Sequence, residues 1–405
     1  MQDTVRPASC LRERLRSVEV GTEPAGEAAQ FDAGRKQSDK AAGDIAEAGD
    51  QQAFHRDDST IMHTVTLKPS GHQFSVEEGE SILAAALRQG FVLPYSCRNG
   101  ACGTCKGAVL EGQVDYGEYQ IKALSAAEKA AGKVLFCQAK PLGDLVIEAR
   151  TVGAAKDIPI RTLPCRVQRM ERLSDDAMAL YLKLPANERL QFLPGQYLEF
   201  LLRDGSRRAF SLAHPPHDDA LIELHVRHVP GGQFTDHVFG KMKERDILRF
   251  EGPLGTFFLR EDSDKPIIFV ASGTGFAPIK SILETAFAKG EQRPMVLYWG
   301  GRRPRDLYMN ALAEGWAAAH DNFRYVPVIS DALPEDDWRG RSGFVHRAVM
   351  EDYPDLSGHQ VYACGVPIMV DSARKDFVDR CGLPEEEFYS DSFTTQADVH
   401  GGTAS

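Results

Sequence analysis

Three cysteines spaced Cys97-x4-Cys102-x2-Cys105, with a fourth on a separate apolar stretch (Val134-Leu135-Phe136-Cys137), restrict this chain more than any other feature. The loop they share, Tyr95-Ser96-Cys97-Arg98-Asn99-Gly100-Ala101-Cys102-Gly103-Thr104-Cys105, is built largely from small residues. Four thiolates at this spacing suit a [2Fe–2S] cluster, in which two sulfurs hold each iron. A loop wrapped round such a cluster brings backbone N–H groups close to sulfur, which bulky side chains would prevent. A zinc site of four cysteines usually shows two C-x2-C-like pairs, whereas only Cys102 and Cys105 are so paired. A disulfide framework needs an oxidising compartment and usually a small domain. The spacing therefore predicts a cluster held by Cys97, Cys102, Cys105 and Cys137.

At 405 residues the chain has room for several domains, each with its own core. Its net charge of −11 argues against a general nucleic-acid binder and fits a protein that meets a basic or neutral partner surface. The remaining cysteines, Cys10, Cys165, Cys364 and Cys381, are scattered, as expected of a reducing cytoplasm. No apolar run approaches the ~20 residues that cross a bilayer, and no secretory signal is visible. A cytoplasmic monomer is the expectation. Residues 1–61 are rich in Ala, Gly, Asp, Glu and Gln, a composition that reads as a disordered extension. A patterned strand begins at once at Met62, which suggests that Met62 is the natural initiator.

Three patterns follow in order. Over 62–153, short alternating runs at Thr64–Leu67 and Gln73–Val76 flank Pro69-Ser70-Gly71 and read as a hairpin. Ser81 caps a helix through Gln89, Ser125-Ala126-Ala127-Glu128 forms a capping box, and Cys137 falls on a strand. Over 161–262, many short strands with Gly and Pro punctuation suggest a small antiparallel barrel. Over 263–396, the apolar run Ile267–Ala271 leads into Gly273-Thr274-Gly275-Phe276-Ala277-Pro278 and a helix from Ile279 to Lys289. Alternating strands and helices there argue a doubly wound parallel sheet. The fold class expected is thus α/β multidomain.

The first pattern resembles the β-grasp fold of plant-type ferredoxins. Arg208-Ala209-Phe210-Ser211 resembles the Arg-x-Tyr-Ser motif of the ferredoxin–NADP reductase superfamily, with Phe210 in place of the usual Tyr. Leu224-His225-Val226-Arg227 and Gly231-Gly232-Gln233-Phe234-Thr235 follow at that superfamily's distances. By this resemblance FAD is held by Arg208, Phe210, Ser211, His225, Val226, Arg227, Gly232, Gln233 and Thr235. Arg208 neutralises a flavin phosphate, Ser211 lies beside the reactive flavin nitrogen, and Gly232 with Thr235 holds the diphosphate. The ring of His225 reads as a strand residue rather than a metal ligand. Gly273, Thr274, Gly275 and Phe276, between a buried strand and a helix, read as a phosphate loop for a nicotinamide dinucleotide. Cys364-Gly365 matches the superfamily's pair beside the nicotinamide, and Phe393 resembles its terminal aromatic that covers the flavin. Arg302, with Arg303 and Arg305, stands where an adenosine ribose is expected; NADH is the expected cofactor, with NADPH as the alternative. Ser211, Cys364 and Phe393 are the residues expected at the reacting atoms.

Ferredoxin, flavin barrel and nicotinamide domain together imply a reductase that accepts a hydride and releases single electrons, since flavin alone among these cofactors can do both. The cluster potential implied is on the order of −400 mV. Across about 62–395, segments such as Arg249–Phe258 and Gly343–Val349 resemble the CDP-6-deoxy-3,4-glucoseen reductase family. That family serves a pyridoxamine-phosphate (PMP)-dependent dehydrase partner in deoxysugar synthesis. The same module order serves oxygenase components acting on aromatic rings, the alternative electron-accepting protein. A scaffold without turnover is the alternative of another class, and absent flavin and cluster absorbance would mark it.

Overall fold

The computed structural model describes residues 62–149 and 157–394. The extension expected over 1–61 and most of the expected linker lie outside them. Strands β1 (Met62–Lys68) and β2 (Gln73–Glu77) form the expected hairpin, with Met62 opposite Glu77. Alternation turns Val65, Leu67, Phe74 and Val76 into the core. Helix α1 (Ile82–Arg88) begins where the Ser81 hydroxyl accepts the Ala84 N–H, a cap worth about 1 kcal/mol. Then come β3 (Lys106–Glu111), β4 (Val114–Asp115), α2 (Ala126–Ala130), β5 (Lys133–Leu135), β6 (Lys140–Pro141) and β7 (Leu145–Glu148). The Ser125–Glu128 capping box opens α2 as expected. The five-stranded sheet runs β2-β1-β7-β3-β5, with β1 and β7 parallel, and α1 buries Ile82, Leu83, Ala85 and Ala86 into the same core. This is the β-grasp arrangement.

One local expectation is corrected. The apolar run Val134-Leu135-Phe136 reads as a strand carrying Cys137, but β5 ends at Leu135 and Cys137 stands in the following turn. The N–H groups of Gln138 and Ala139 both donate to the Leu135 carbonyl, at 2.9 and 2.8 Å. The chain bends there because the thiol has to face a loop formed more than thirty residues earlier.

The second sheet comprises β8 (Arg161–Arg172), β9 (Ala177–Lys183), β10 (Tyr197–Leu201), β11 (Arg207–Ser211), β12 (Ile222–Arg227) and, after α3 (Gln233–Gly240), β13 (Ile247–Leu254). Its order is β11-β10-β13-β8-β9-β12, antiparallel throughout. The two edges meet: Leu212 bridges Leu224, and the Ala213 N–H donates to the Glu223 carbonyl at 2.8 Å. This closes the barrel over Leu180, Leu198, Phe200, Leu224, Val226 and Phe250, and removes two exposed edges.

The third sheet holds β14 (Ile267–Ser272), β15 (Met295–Gly301), β16 (Phe323–Ile329), β17 (Arg341–Ser342), β18 (Gln360–Gly365) and β19 (Phe388–Ser392). All pair in parallel, in the order β17-β16-β15-β14-β18-β19. Helices α4 (Phe276–Lys289) and α5 (Asn310–Ala319) cover one face, and α6 (Val345–Asp352) and α7 (Pro367–Cys381) the other. Strand β14 shows why the run is uniformly apolar: Ile267, Phe269 and Ala271 enter one core, Ile268 and Val270 the other. The sheet is doubly wound. Helix α4 starts at Phe276 rather than Ile279, directly after a tight turn over Gly273–Gly275. Pro278 is admitted because it lies in the first turn, where no N–H is required.

Candidate functional site

The four cysteines expected to hold the cluster come together as two pairs. Cys97 lies beside Cys102, and Cys105 beside Cys137. The neighbouring Cys97 lowers the Cys102 thiol against the opposing effect of burial, and Thr104 Oγ1 lies 3.4 Å from its sulfur. Gln138 Nε2 approaches Cys137 Sγ at 3.8 Å. Among the described residues no three His, Cys, Asp or Glu side chains converge on one ion position. Two thiol pairs fit two irons, whereas a single tetrahedral ion demands one group of four. Gly100 has φ +77°, and a Cβ there would stand 2.8 Å from the Glu118 carbonyl oxygen, so the loop closes only with glycine.

On the barrel, Arg208, Phe210 and Ser211 lie along β11. No carboxylate among the described residues pairs with the Arg208 guanidinium, which donates to the Arg207 carbonyl at 2.8 Å. Phe210 is half-buried, its ring 5.8 Å from that of Phe200 and 5.2 Å from that of Phe234. The Ser211 hydroxyl is buried and has no hydrogen-bond partner. An orphan of this kind costs about 1–3 kcal/mol unless a ligand meets it, which is what a flavin nitrogen beside it would do. Gly232 caps α3, Gln233 is its first residue, and Thr235 Oγ1 closes the turn by donating to the Val229 carbonyl at 2.9 Å.

The side chains of His225 and Val226 both point into the protein. The His225 ring is fully buried, with Nε2 2.9 Å from Glu223 Oε1 and Nδ1 2.9 Å from Tyr308 Oη. Val226 is fully buried in the barrel core. Neither side chain is free to touch a cofactor. His225 instead joins the barrel to the third sheet. Arg227, next in sequence, is half-buried, paired with Asp176 at 2.9 Å, and its guanidinium lies against Gly273.

The Gly273–Gly275 turn follows β14 at the carboxyl end of the sheet. A Cβ on Gly275 would stand 2.2 Å from the Cys364 carbonyl oxygen, so this loop and the end of β18 touch through bare backbone. Phe276 closes this turn and opens α4. Its ring is fully buried, stacked on Trp299 at 3.9 Å and 8°, while Trp299 Nε1 donates to the Gly273 carbonyl at 3.0 Å. Phe276 braces the loop rather than lining it. Cys364 is fully buried, and burial pushes its thiol well up. The Phe393 N–H donates to the Gly365 carbonyl at 2.8 Å, placing the terminal aromatic at the end of β18. Arg302 is exposed. Arg303 is committed to Asp336 at 2.5 Å, and Arg305 faces Asp175 at 3.7 Å.

Sequence reasoning missed the residues that join these sites. Tyr197 stands opposite Ser211 in the β10–β11 pairing and donates its hydroxyl to the Ser96 carbonyl at 2.6 Å. Ser96 donates in turn to Asp391 Oδ1 at 2.5 Å, and Asp391 precedes Ser392, a second buried hydroxyl without a partner. Burial raises the Asp391 carboxyl to about 6, against the lowering effect of the Ser96 bond. No periodicity announces contacts between residues this far apart.

Family models place a 2Fe-2S iron-sulfur cluster binding domain at 65–142, an oxidoreductase FAD-binding domain at 164–259 and an oxidoreductase NAD-binding domain at 269–375. The CDP-6-deoxy-L-threo-D-glycero-4-hexulose-3-dehydrase reductase of Yersinia pestis is 41% identical over 329 residues, 81% of this chain and 98% of that protein. The chain belongs to the iron–sulfur flavoprotein reductases. The reductase is also 39% identical to the phenol 2-monooxygenase reductase component DmpP of Pseudomonas sp. (strain CF600), over 84% of this chain and 97% of that one. Among solved structures, the Amycolatopsis cytochrome P450 reductase GcoB matches it with a TM-score of 0.67 and 37% identity, over 82% of this chain and 99% of that one. Its cofactors are a [2Fe–2S] cluster, FAD and NAD(H). Among the described residues no helix is long and apolar enough to cross a membrane.

Proposed function

We propose that this reductase, a cytoplasmic monomer, draws electrons from NADH and delivers them to a PMP-dependent dehydrase of CDP-deoxysugar synthesis, a CDP-4-dehydro-6-deoxyglucose reductase-like activity. The observation that carries this acceptor is the 41% identity to the Yersinia pestis dehydrase reductase over 98% of that protein. An oxygenase component is the second reading, favoured by the 39% identity to DmpP over 97% of that protein. NADH is preferred because Arg303 and Arg305 already face carboxylates, which leaves Arg302 alone for a 2′-phosphate.

The division assigned is a ferredoxin-type domain over 62–153, a flavin barrel over 161–262 and a nicotinamide domain over 263–396. Cys97, Cys102, Cys105 and Cys137 hold the cluster. Arg208 neutralises a flavin phosphate, Phe210 offers the open part of its ring, and Ser211 donates its free hydroxyl to the flavin. The N–H groups of Gln233 and Thr235, at the start of α3 beside the capping Gly232, receive the diphosphate. Gly273, Thr274 and Gly275, with Arg227 beside them, receive the phosphates of the nicotinamide dinucleotide. The backbone at the end of β18, Cys364-Gly365, and Phe393 beside it form the floor where the two rings meet and exclude water from it. FAD bound here would supply the exchange between two-electron and one-electron transfer that links NADH to the cluster. The test is anaerobic reconstitution with NADH and either a purified CDP-hexulose dehydrase or an aromatic oxygenase. Deoxygenated CDP-sugar is the expected product; oxygenase turnover without sugar deoxygenation would reverse the assignment.

A further inference from the structure

Cys97 is bracketed by three residues, and each is fastened to something outside the ferredoxin fold. The Tyr95 N–H donates to Thr256 Oγ1 at 3.0 Å, and that hydroxyl lies 3.0 Å from the Tyr95 carbonyl oxygen. Arg98 Nη2 donates to Glu199 Oε2 at 2.7 Å, on the same carboxylate that Arg207 meets at 3.2 Å. Ser96 is held from both sides, by Tyr197 Oη on its carbonyl at 2.6 Å and by Asp391 on its hydroxyl at 2.5 Å. Ser96, Tyr197 and Asp391 are all buried. Three parts of the chain thus meet at one polar point: the cluster loop, strand β10 of the barrel, and β19, the strand that leads into Ser392 and Phe393.

Stability does not account for this arrangement. A buried carboxylate served by one side-chain hydroxyl is poorly compensated for the water it gives up, and an apolar pair of the same volume would pack at lower cost. Position does account for it. Asp391 pairs in register with Cys364 on β18, so the hydrogen bond transmits the placement of the nicotinamide end of the site to the backbone beside Cys97. We infer that the Ser96–Asp391 hydrogen bond is a positioning contact for one-electron transfer, fixing the cluster loop against the flavin site. This rests on the assignment of the cluster and flavin sites given above. In the step concerned, one electron passes from two-electron-reduced flavin to oxidised cluster. The other electron stays on the flavin, and no bond is made or broken.

The test uses holoenzyme carrying Ser96→Ala, Asp391→Ala or Asp391→Asn. Each is reduced anaerobically with NADH in a stopped-flow instrument, with flavin and cluster absorbance followed separately. Amide hydrogen exchange of the 93–99 segment is measured on the oxidised protein. In Ser96→Ala and Asp391→Ala, NADH-to-flavin transfer should keep its rate while flavin-to-cluster transfer slows about tenfold, as expected of a small misplacement. Exchange in the segment should quicken. Asp391→Asn, which still offers an oxygen to the Ser96 hydroxyl, should restore both. Unchanged cluster reduction in Ser96→Ala, equal slowing of both steps, or Asp391→Asn as slow as Asp391→Ala would overturn the inference. Should Asp391→Ala fail to hold its cofactors, Ser96→Ala and Asp391→Asn decide by the same criteria. A wild-type holoenzyme whose cluster NADH never reduces would contradict the functional reading instead.

Discussion

Ser211 buries a hydroxyl that nothing in the protein satisfies, on a strand whose other face packs Phe210 into the barrel. If that hydroxyl meets the flavin, Ser211→Ala should retain FAD but lose about one hydrogen bond at the reacting atom. The rate of flavin reduction by NADH should then fall roughly tenfold, read by single-turnover kinetics. Cys102→Ala should abolish reduction of a one-electron protein such as cytochrome c while sparing flavin-level ferricyanide reduction. Assaying both acceptors on one preparation checks it, and equal loss of the two would contradict the module order. The cysteines were legible in sequence because a cluster fixes both ligand type and local spacing. Phe276 and His225 were not. Whether a ring lines a site or braces it depends on Trp299 and Tyr308, which are brought there by the fold and leave no mark on the neighbouring residues.

At the level of elements, β12 and α4 are joined by a buried polar network. Lys280 Nζ donates to Glu223 Oε2 at 3.1 Å and to the Ala213 carbonyl at 3.0 Å, and Glu223 also receives His225. Burial opposes ionisation of Glu223, but His225 and Lys280 outweigh it and hold the carboxyl at about 2. Lys280 also pairs with Glu284 at 3.0 Å, so Glu223→Ala would leave it one carboxylate and should cost about 1–3 kcal/mol by denaturant unfolding. Next to it, His214 is held at about 4 by burial, with Lys280 adding to the effect and Glu223 opposing it, and its neutral Nδ1 accepts the Glu223 N–H at 3.3 Å. Both groups bind protons less readily folded than unfolded. The His214 contribution is therefore complete above its ordinary 6.5 and lost as pH falls towards 4. Over that window the loss is on the order of 3 kcal/mol. The Glu223 contribution is lost lower, as pH falls from its ordinary 4.5 towards 2. A series of unfolding midpoints between pH 7 and 4 should fall, and His214→Gln should flatten that fall. Element types were readable from apolar runs such as Ile267–Ala271. The turn at Cys137 was not, because Phe136 continues the apolar pattern past the point where the ligand must bend back.

For the molecule as a whole, the order of modules along the chain becomes a spatial order through the loop at Tyr95–Arg98. The ferredoxin core itself takes in Tyr197 and Leu254 from the barrel, so the two units share apolar surface as well as hydrogen bonds. No single stretch of sequence encodes this seam. Ser96 and Asp391 are ordinary residues until the fold sets them against each other. With the flavin site where we propose it, the seam would hold the cluster loop beside the place of flavin reduction, a reason for fusing the modules in one chain. The most direct test of the central claim is an anaerobic NADH titration of the holoprotein, followed by absorbance and by electron paramagnetic resonance. The account expects flavin bleaching together with the signal of a reduced two-iron centre, using more NADH than the flavin alone can consume. Bleaching of flavin with no such signal, in protein whose four cysteines carry zinc, would contradict it.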